Sequence, residues 1–268
     1  MGEIFGQSDA AAWIAVPSDD DDKYSRGVVG FVTGSARYPG AAVLGVEAAL
    51  RIGVGMVRYL GPGRATRLVL QRRPETVTTD GRVQAWVVGS GQDPRERDEL
   101  TRLQLETALR QGVPVVLDAG ALDLWPEATG SSVLTPHAGE LARLLDVGKE
   151  EVMADREAAA RQAAATTGAT VLLKGAETLV ASPGGELLRV RNATPWLATA
   201  GAGDALAGIL GALVAPHADA RDLAPIAAAA AWIHGEAAQR ASNGGPFTVL
   251  DLCAALPTVV RDLVTMSA

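Results

Sequence analysis

Short unbroken apolar runs alternate with longer helix-like stretches along almost the whole chain, and that alternation leaves few architectures open. Segments 28–33, 56–60, 86–88, 115–117, 132–135 and 170–173 are rich in Val, Leu and other apolar residues and are bounded by Gly, Pro or polar residues, as buried strands are. Helices are expected between them at 39–52, 94–111 and 149–167, with a further one around Leu141, Leu144 and Leu145 at i, i+3, i+4 spacing. Pro94 at the start and Gly112 past the end suit the 94–111 helix. Segments 179–181 and 187–190 flank Ser182-Pro183-Gly184-Gly185 and read as a hairpin. Leu206, Ile209, Leu210, Leu213 and Val214 then form the cleanest amphipathic stripe in the chain, and helices at 222–242 and 248–266 finish it. Strands apolar on both sides imply a mostly parallel central sheet with helices on both faces, a three-layer αβα member of the α/β class. No linker or internal repeat interrupts the pattern. Residues 1–268 therefore read as one domain, with 1–24 an N-terminal extension free to flex.

Composition narrows the function. A net charge of −7 over 268 residues argues against nucleic acid or an anionic membrane as the main partner. The longest apolar stretch, 226–233, is far below the ~20 residues that span a bilayer. The N-terminus has no basic start or apolar run of the secretory kind, and Met1-Gly2 is followed by Gly6 where acylation needs Ser or Thr. Cys253 stands alone among apolar neighbours and reads as a core residue, so the chain is expected in a reducing cytoplasm. His217 is expected at the surface and His234 buried or interfacial, so no zinc site assembles. Asp19-Asp20-Asp21-Asp22-Lys23 has the look of a protease-cleavage linker or of a native acidic loop.

In such sheets ligands bind beyond the carboxyl ends of the strands. The unusual residues collect there: Gly34-Ser35, Gly89-Ser90-Gly91, Asp118, Thr135-Pro136-His137, Lys174-Gly175 and Gly201-Ala202-Gly203-Asp204. Gly201 and Gly203 allow close backbone approach and leave N–H groups at a helix N-terminus, where the dipole favours an anion. Asp204 beside them would accept a hydroxyl proton or cap the helix, and spacing alone leaves both readings open. Asp118 likewise reads as a helix cap or a site residue. The chain has no G-x-x-x-x-G-K-[ST] string, nor G-x-G-x-x-G after its first strand, which disfavours a P-loop or dinucleotide-binding Rossmann unit.

The G-A-G-D string resembles the anion-hole motif of the ribokinase-like superfamily. More narrowly, the segments 34–42, 135–140, 173–178, 192–196 and 197–208 together resemble the ADP-dependent NAD(P)H-hydrate dehydratase family, in order and spacing, from about residue 23 onward. Asp22-Lys23-Tyr24 resembles that family's entry segment, so the acidic run reads as native. The resemblance implies repair of (6S)-hydrated NADH and NADPH, by phosphorylation of the ring hydroxyl from ADP and elimination of phosphate. It implies that Asp204 is the base, with Gly203 and Gly201 forming the anion hole. It implies Lys174, Gly175, Ala176, Glu177, Thr178 and Gly203 at the nucleotide. Ala41, Ala42, Gly91, His137 and Asp204 would meet the hydrate. The loop at Gly91 departs from the family's G-P-G-x-G, reading G-S-G-Q-D. Ribokinase-like kinases place Asn-x-x-Glu where this chain has His137 and Glu140, and by that likeness Glu140 would hold Mg2+ through water. The resemblance also implies a cytoplasmic homo-oligomer, a tetramer in the family, working beside an NAD(P)H-hydrate epimerase; Trp232 on an Ala-rich late helix would suit the interface. Two rivals share these residues: a hydroxymethylpyrimidine or hydroxyethylthiazole type of small-molecule kinase, and a nucleotide-binding module without turnover.

Overall fold

The computed structural model describes residues 3–267; the Met1-Gly2 pair of the acylation motif lies outside the described residues. Nine strands form one sheet: β1 (Glu3–Ile4), β2 (Val28–Val32), β3 (Met56–Tyr59), β4 (Ala85–Val88), β5 (Val115–Leu117), β6 (Ser132–Leu134), β7 (Thr170–Leu173), β8 (Thr178–Ala181) and β9 (Leu187–Val190). Their order is β1-β9-β8-β7-β6-β5-β4-β2-β3. Every pairing is parallel except those of β8, which runs antiparallel to β7 and β9 as the hairpin requires.

The two faces of the sheet feed separate cores. Val29 and Phe31 of β2 pack with one buried cluster, Val28 and Val32 with the other, the period-2 alternation of a doubly covered strand. The first face carries α1 (Gln7–Ala11), α2 (Gly40–Ile52), α3 (Gly63–Arg72), α8 (Ala202–Val214), α9 (Ala224–Ser242) and α10 (Val249–Ser267). The second carries α4 (Glu99–Leu109), α5 (Ala138–Leu145), α6 (Lys149–Ala154) and α7 (Arg156–Thr167). This is the expected three-layer α/β fold.

The chain leaves β2 for β3, then crosses back over β2 to β4. The direction of winding therefore reverses between β2 and β4, where open α/β sheets form a crevice. Gly34 past β2 and Ser90 past β4 meet there, the Gly34 amide donating to the Ser90 carbonyl at 2.7 Å.

Helices α2 and α8 touch backbone to backbone. A Cβ on Gly208 would lie 2.1 Å from the Gly45 carbonyl oxygen. The close crossing lets the start of α8 sit against Leu44 of α2. Gly208→Ala is expected to lower stability by about 1–3 kcal/mol through overpacking. Thermal unfolding reads this, and an unchanged melting temperature would mean the helices part at no cost. Glu47 of α2 is fully buried and accepts from Arg51, Arg72 and Arg73 at 2.8, 3.1 and 2.5 Å, tying α2 to the end of α3. Burial acts to raise the pKa of this carboxyl, but hydrogen bonds from the three arginines win and hold it down at about 2.

The structure departs from the sequence reading in several places. The expected 94–111 helix is a 3-10 turn, Pro94–Glu96, followed by α4; Asp98 starts α4 by accepting from the Thr101 amide at 2.7 Å. The 149–167 helix divides at Asp155, whose carboxylate accepts from Ala158 at 2.9 Å and starts α7. Helix α3 has no counterpart in the expectation. The N-terminal extension is docked: β1 pairs with β9, and Phe5, Ala10 and Ala11 are buried. In the acidic run Asp22 accepts from the Tyr24 and Ser25 amides at 2.7 and 2.9 Å, making a turn into β2. Trp232 is buried within the chain, so it offers no oligomer interface. His217 is half-buried, its Nδ1 2.8 Å from the Leu213 carbonyl and its ring edge-on to Trp13. Cys253 is fully buried, as expected, which pushes its thiol up to about 12. No helix among the described residues is long and apolar enough to cross a membrane.

Candidate active site

Parallel pairing places the residues just past β4, β5, β6 and β7 side by side, and one carboxylate joins all of them. Asp118 is 2% exposed. Its Oδ2 accepts from Ser90 Oγ at 2.8 Å, and its Oδ1 accepts from Thr135 Oγ1 at 2.7 Å and from Lys174 Nζ at 2.9 Å. Of the two readings open for Asp118, the cap falls away: the 3-10 turn Ala119–Glu127 follows, but the Asp118 side chain makes no capping bond to it.

Lys174 Nζ also stands 3.8 Å from Glu140 Oε2. Burial works against its charge, but the neighbouring Asp118, Glu140 and Asp204 carboxylates prevail and raise its pKa. Glu140 and His137 form a reciprocal cap on α5. His137 Nδ1 accepts from the Gly139 and Glu140 amides at 3.0 and 3.2 Å, while Glu140 Oε2 accepts from the His137 amide at 2.8 Å. A ring whose Nδ1 accepts carries its proton on Nε2, which lies 3.4 Å from Glu140 Oε1. That side chain is 56% exposed.

Across from this floor stands the first turn of α8. Gly201 adopts φ +91°, and a side chain there would strike Leu44 at 2.5 Å. A Cβ on Gly203 would lie 3.5 Å from Lys174 Nζ, so the helix amides and the ammonium face one small space. Asp204 sits half-buried in the same turn. Burial and then the Asp118 charge raise its carboxyl, partly offset by Lys174, to about 7. A group at that value exchanges protons readily near neutrality.

A cavity of about 700 Å³ opens beside this turn. Of the expected site residues, His137, Lys174, Gly175, Ala176, Thr178 and Gly203 line it. Its remaining wall is mostly apolar, as nucleoside pockets are, and includes Leu206 and Ala231. Glu177, Gly201, Asp204, Ala41, Ala42 and Gly91 are not in that wall. Glu177 turns toward Arg189 and Arg191, at 3.1 and 2.5 Å. Gly91 stands at φ +67°, and a Cβ on it would be 2.4 Å from that of Ala41. Ala42 is fully buried under Gly34, so it supports the crevice from below.

Two further wall residues escaped assignment. Asn192 donates to the Trp232 carbonyl at 2.8 Å, and its Oδ1 is buried without a protein partner. His234 is 6% exposed with Nε2 likewise unpaired, and burial lowers its pKa to about 4, so it is neutral. Asn192 lies in a string singled out from the sequence, whereas His234 gave no signal beyond burial.

The carboxylates do not by themselves make a metal cage. Among the described residues no group of three His, Cys, Asp or Glu side chains is placed to hold an ion. Glu140 accepts from the His137 amide and stands 3.8 Å from the Lys174 ammonium.

Comparison with known proteins places these residues in context. Residues 29–257 match the family model described as NAD(P)H-hydrate dehydratase. The bifunctional NAD(P)H-hydrate repair enzyme Nnr of Mycobacterium tuberculosis is 45% identical over 223 residues, covering 79% of this chain and 46% of that protein. The chain thus spans about half the length of that relative. The ADP-dependent (S)-NAD(P)H-hydrate dehydratase of Neisseria meningitidis is 39% identical over 239 residues, covering 82% of this chain and 79% of its own. Among solved structures, the ADP/ATP-dependent NAD(P)H-hydrate dehydratase of Bacillus subtilis, co-crystallized with ATP/Mg2+, superposes with TM-score 0.87 at 25% identity, over 98% of this chain and 99% of that one.

Proposed function

Because the chain belongs to the NAD(P)H-hydrate dehydratase family, we propose that it restores (6S)-hydrated NADH and NADPH by ADP-dependent dehydration, acting as a hydro-lyase. The observation that carries this reading is the approach of Lys174 to the first turn of α8, which holds Gly203 and Asp204, with Lys174 and Gly203 on the wall of a cavity of about 700 Å³.

ADP supplies its terminal phosphoryl group and leaves as AMP, which turns the poor hydroxide leaving group of the hydrate into phosphate. Phosphate then departs with the C6–O electron pair, pushed by the ring nitrogen lone pair, and loss of the C5 proton restores the double bond. The chain supplies the rest. Asp204 takes the proton of the ring hydroxyl as it attacks. The amides around Gly203, with Gly201 setting the tight entry to α8, bear the charge that develops on the transferred group. Lys174 adds a point charge on the same side. Gly175, Ala176 and Thr178 hold the nucleotide, with Glu177 bracing their loop through its arginines. His137 Nε2–H donates to the hydrate, and Ala41 and Gly91 form the small-residue wall beneath its ring, backed by Ala42. Mg2+ would arrive with the nucleotide phosphates; no step here depends on it.

Incubation with hydrated NADH and ADP, followed by near-ultraviolet absorbance of the reduced nicotinamide, tests the reading. Recovery of the reduced coenzyme supports it. A phosphorylated product that accumulates instead would indicate the small-molecule kinase. Absence of turnover with ADP still bound would indicate a binding module.

His137 has two jobs that separate by substitution. His137→Ala is expected to cost about 1 kcal/mol of stability through loss of the cap. It also raises KM for the hydrate. His137→Asn keeps the cap and so the melting temperature, yet raises KM equally; a wild-type KM in this variant would remove His137 from the substrate site.

The same reading extends to one domain, to cytoplasmic residence, to a homo-oligomeric and specifically tetrameric assembly, and to partnership with an NAD(P)H-hydrate epimerase. The single nine-stranded sheet supports the first. The bifunctional repair enzyme, of which this chain covers 46%, supports the last.

A further inference from the structure

We propose that Asp118 is a positioning residue: it holds the Lys174 ammonium against the first turn of α8 and locks four neighbouring strand ends into one floor beneath the transferring group. The inference rests on the repair reading for its purpose and on Asp118's own contacts for its geometry.

Three side chains from β4, β6 and β7 converge on the one buried carboxylate, and all three are donors. A buried ion pair of this kind is a weak device for stability, since well-packed apolar residues do as well or better. Its distinctive effect is directional. Lys174 is a flexible four-carbon stem, and without an anchor its ammonium would sample many positions. With Asp118 at 2.9 Å it stands 3.5 Å from the place a Gly203 side chain would fill. Asp118 has a second effect at a distance. The charges acting on Asp204 are Asp118 from the end of β5 and Lys174 from the end of β7, with Glu140 of α5 acting through Lys174. Leu44 and Gly45 of α2 bring no charge, and His234 of α9 is neutral. Burial is the larger cause of the raised Asp204 carboxyl, and Asp118 is the anion that adds to it.

Asp118→Asn tests this directly, because it keeps the shape and removes the charge. Turnover is expected to fall roughly a hundredfold as Lys174 drifts. The acid limb of the pH profile is expected to move down, since the Asp118 charge acts on Asp204 more strongly than that of Lys174 and its loss lets Asp204 ionise more easily. Carbon-13 titration of the Asp204 carboxyl reads the same shift without any turnover, so the inference stands or falls even if the repair reaction does not occur. A wild-type chain that fails to convert the hydrate refutes the activity. A variant whose Asp204 titrates where the wild type does, or whose turnover is unchanged, refutes the positioning role. Loss of turnover that merely follows loss of folded protein, with the limb unmoved, also overturns it. Should Asp118→Asn not fold, Thr135→Val removes one of the three donors that hold the same carboxylate, with its charge intact. Turnover then drops several-fold with the limb in place, and wild-type turnover in that variant counts against the proposal.

Discussion

Asp204→Asn is expected to lose turnover by roughly 100- to 10,000-fold, the usual range for a general base, while ADP binding changes little. Asparagine fills the same space at the start of α8, and no side chain caps that helix in the wild type, so the helix and its amides survive. What disappears is a proton acceptor. In the wild type that acceptor works only when ionised, so turnover rises with pH through about 7 and levels above it. The variant's residual rate should lack this limb. Stability runs the other way. The folded pKa of Asp204 lies above its unfolded value of 3.8, so the folded state binds more protons between the two values, and stability falls as pH rises from there to about 7. The asparagine variant escapes this cost and should melt higher than wild type above about pH 7, the stability trade expected at a strained site. Steady-state kinetics, ADP calorimetry and thermal melting across pH check the three parts. Near wild-type turnover would put the base elsewhere; collapse of ADP binding would make Asp204 part of the nucleotide site instead.

Whatever is dictated by continuous apolar runs was legible in advance. Val115–Leu117 and Thr170–Leu173 have the expected limits because nothing but a doubly buried strand accounts for them. The α8 stripe was equally plain. Features set by a single side chain were not. Asp98 and Asp155 divide expected helices by capping, and an Asp inside a polar helical stretch looks the same before and after that choice. Helix α3 buries only Ala65 and Val69, too little apolar signal to stand out among its arginines. The docked N-terminus depends on an edge pairing between residues far apart in sequence.

The site follows the same division. Glycine strings and strand-end polar residues marked the right edge of the sheet, because parallel topology gathers them there whatever their roles. Roles that depend on neighbours in space stayed hidden. A strand-end Asp resembles any helix cap until pairing brings Ser90, Thr135 and Lys174 around it. Ala42 and Ala41 carry one small-residue signal, yet Ala42 lies wholly beneath the surface. Glu177 sits within a nucleotide-loop string, but arginines on β9 and just beyond turn it aside. His137 is expected at the hydrate, and only the structure shows that its Nδ1 also caps α5.

Gly203→Val should weaken ADP binding by roughly a thousandfold, the upper end for loss of a preorganised anion-hole contact, with the protein still folded. The backbone permits the change: Gly203 is not among the glycines held at positive φ, and a first side-chain carbon would meet only Lys174 Nζ, at an ordinary 3.5 Å. Valine adds two methyls to that carbon. They occupy the space between the ammonium and the α8 amides, where a terminal phosphate must lie to feel both. The substitution therefore leaves the packed core alone and removes the volume in which opposite charges meet. Gly203→Ala, with one carbon in the same place, should fall between wild type and valine. Calorimetry with ADP, beside a melting curve, separates the cases. A stable valine variant with weak ADP binding assigns the loss to the phosphate space. A stable variant with wild-type affinity would move the phosphate away from α8, and with it the argument that Asp204 and the transferred group share one turn of helix.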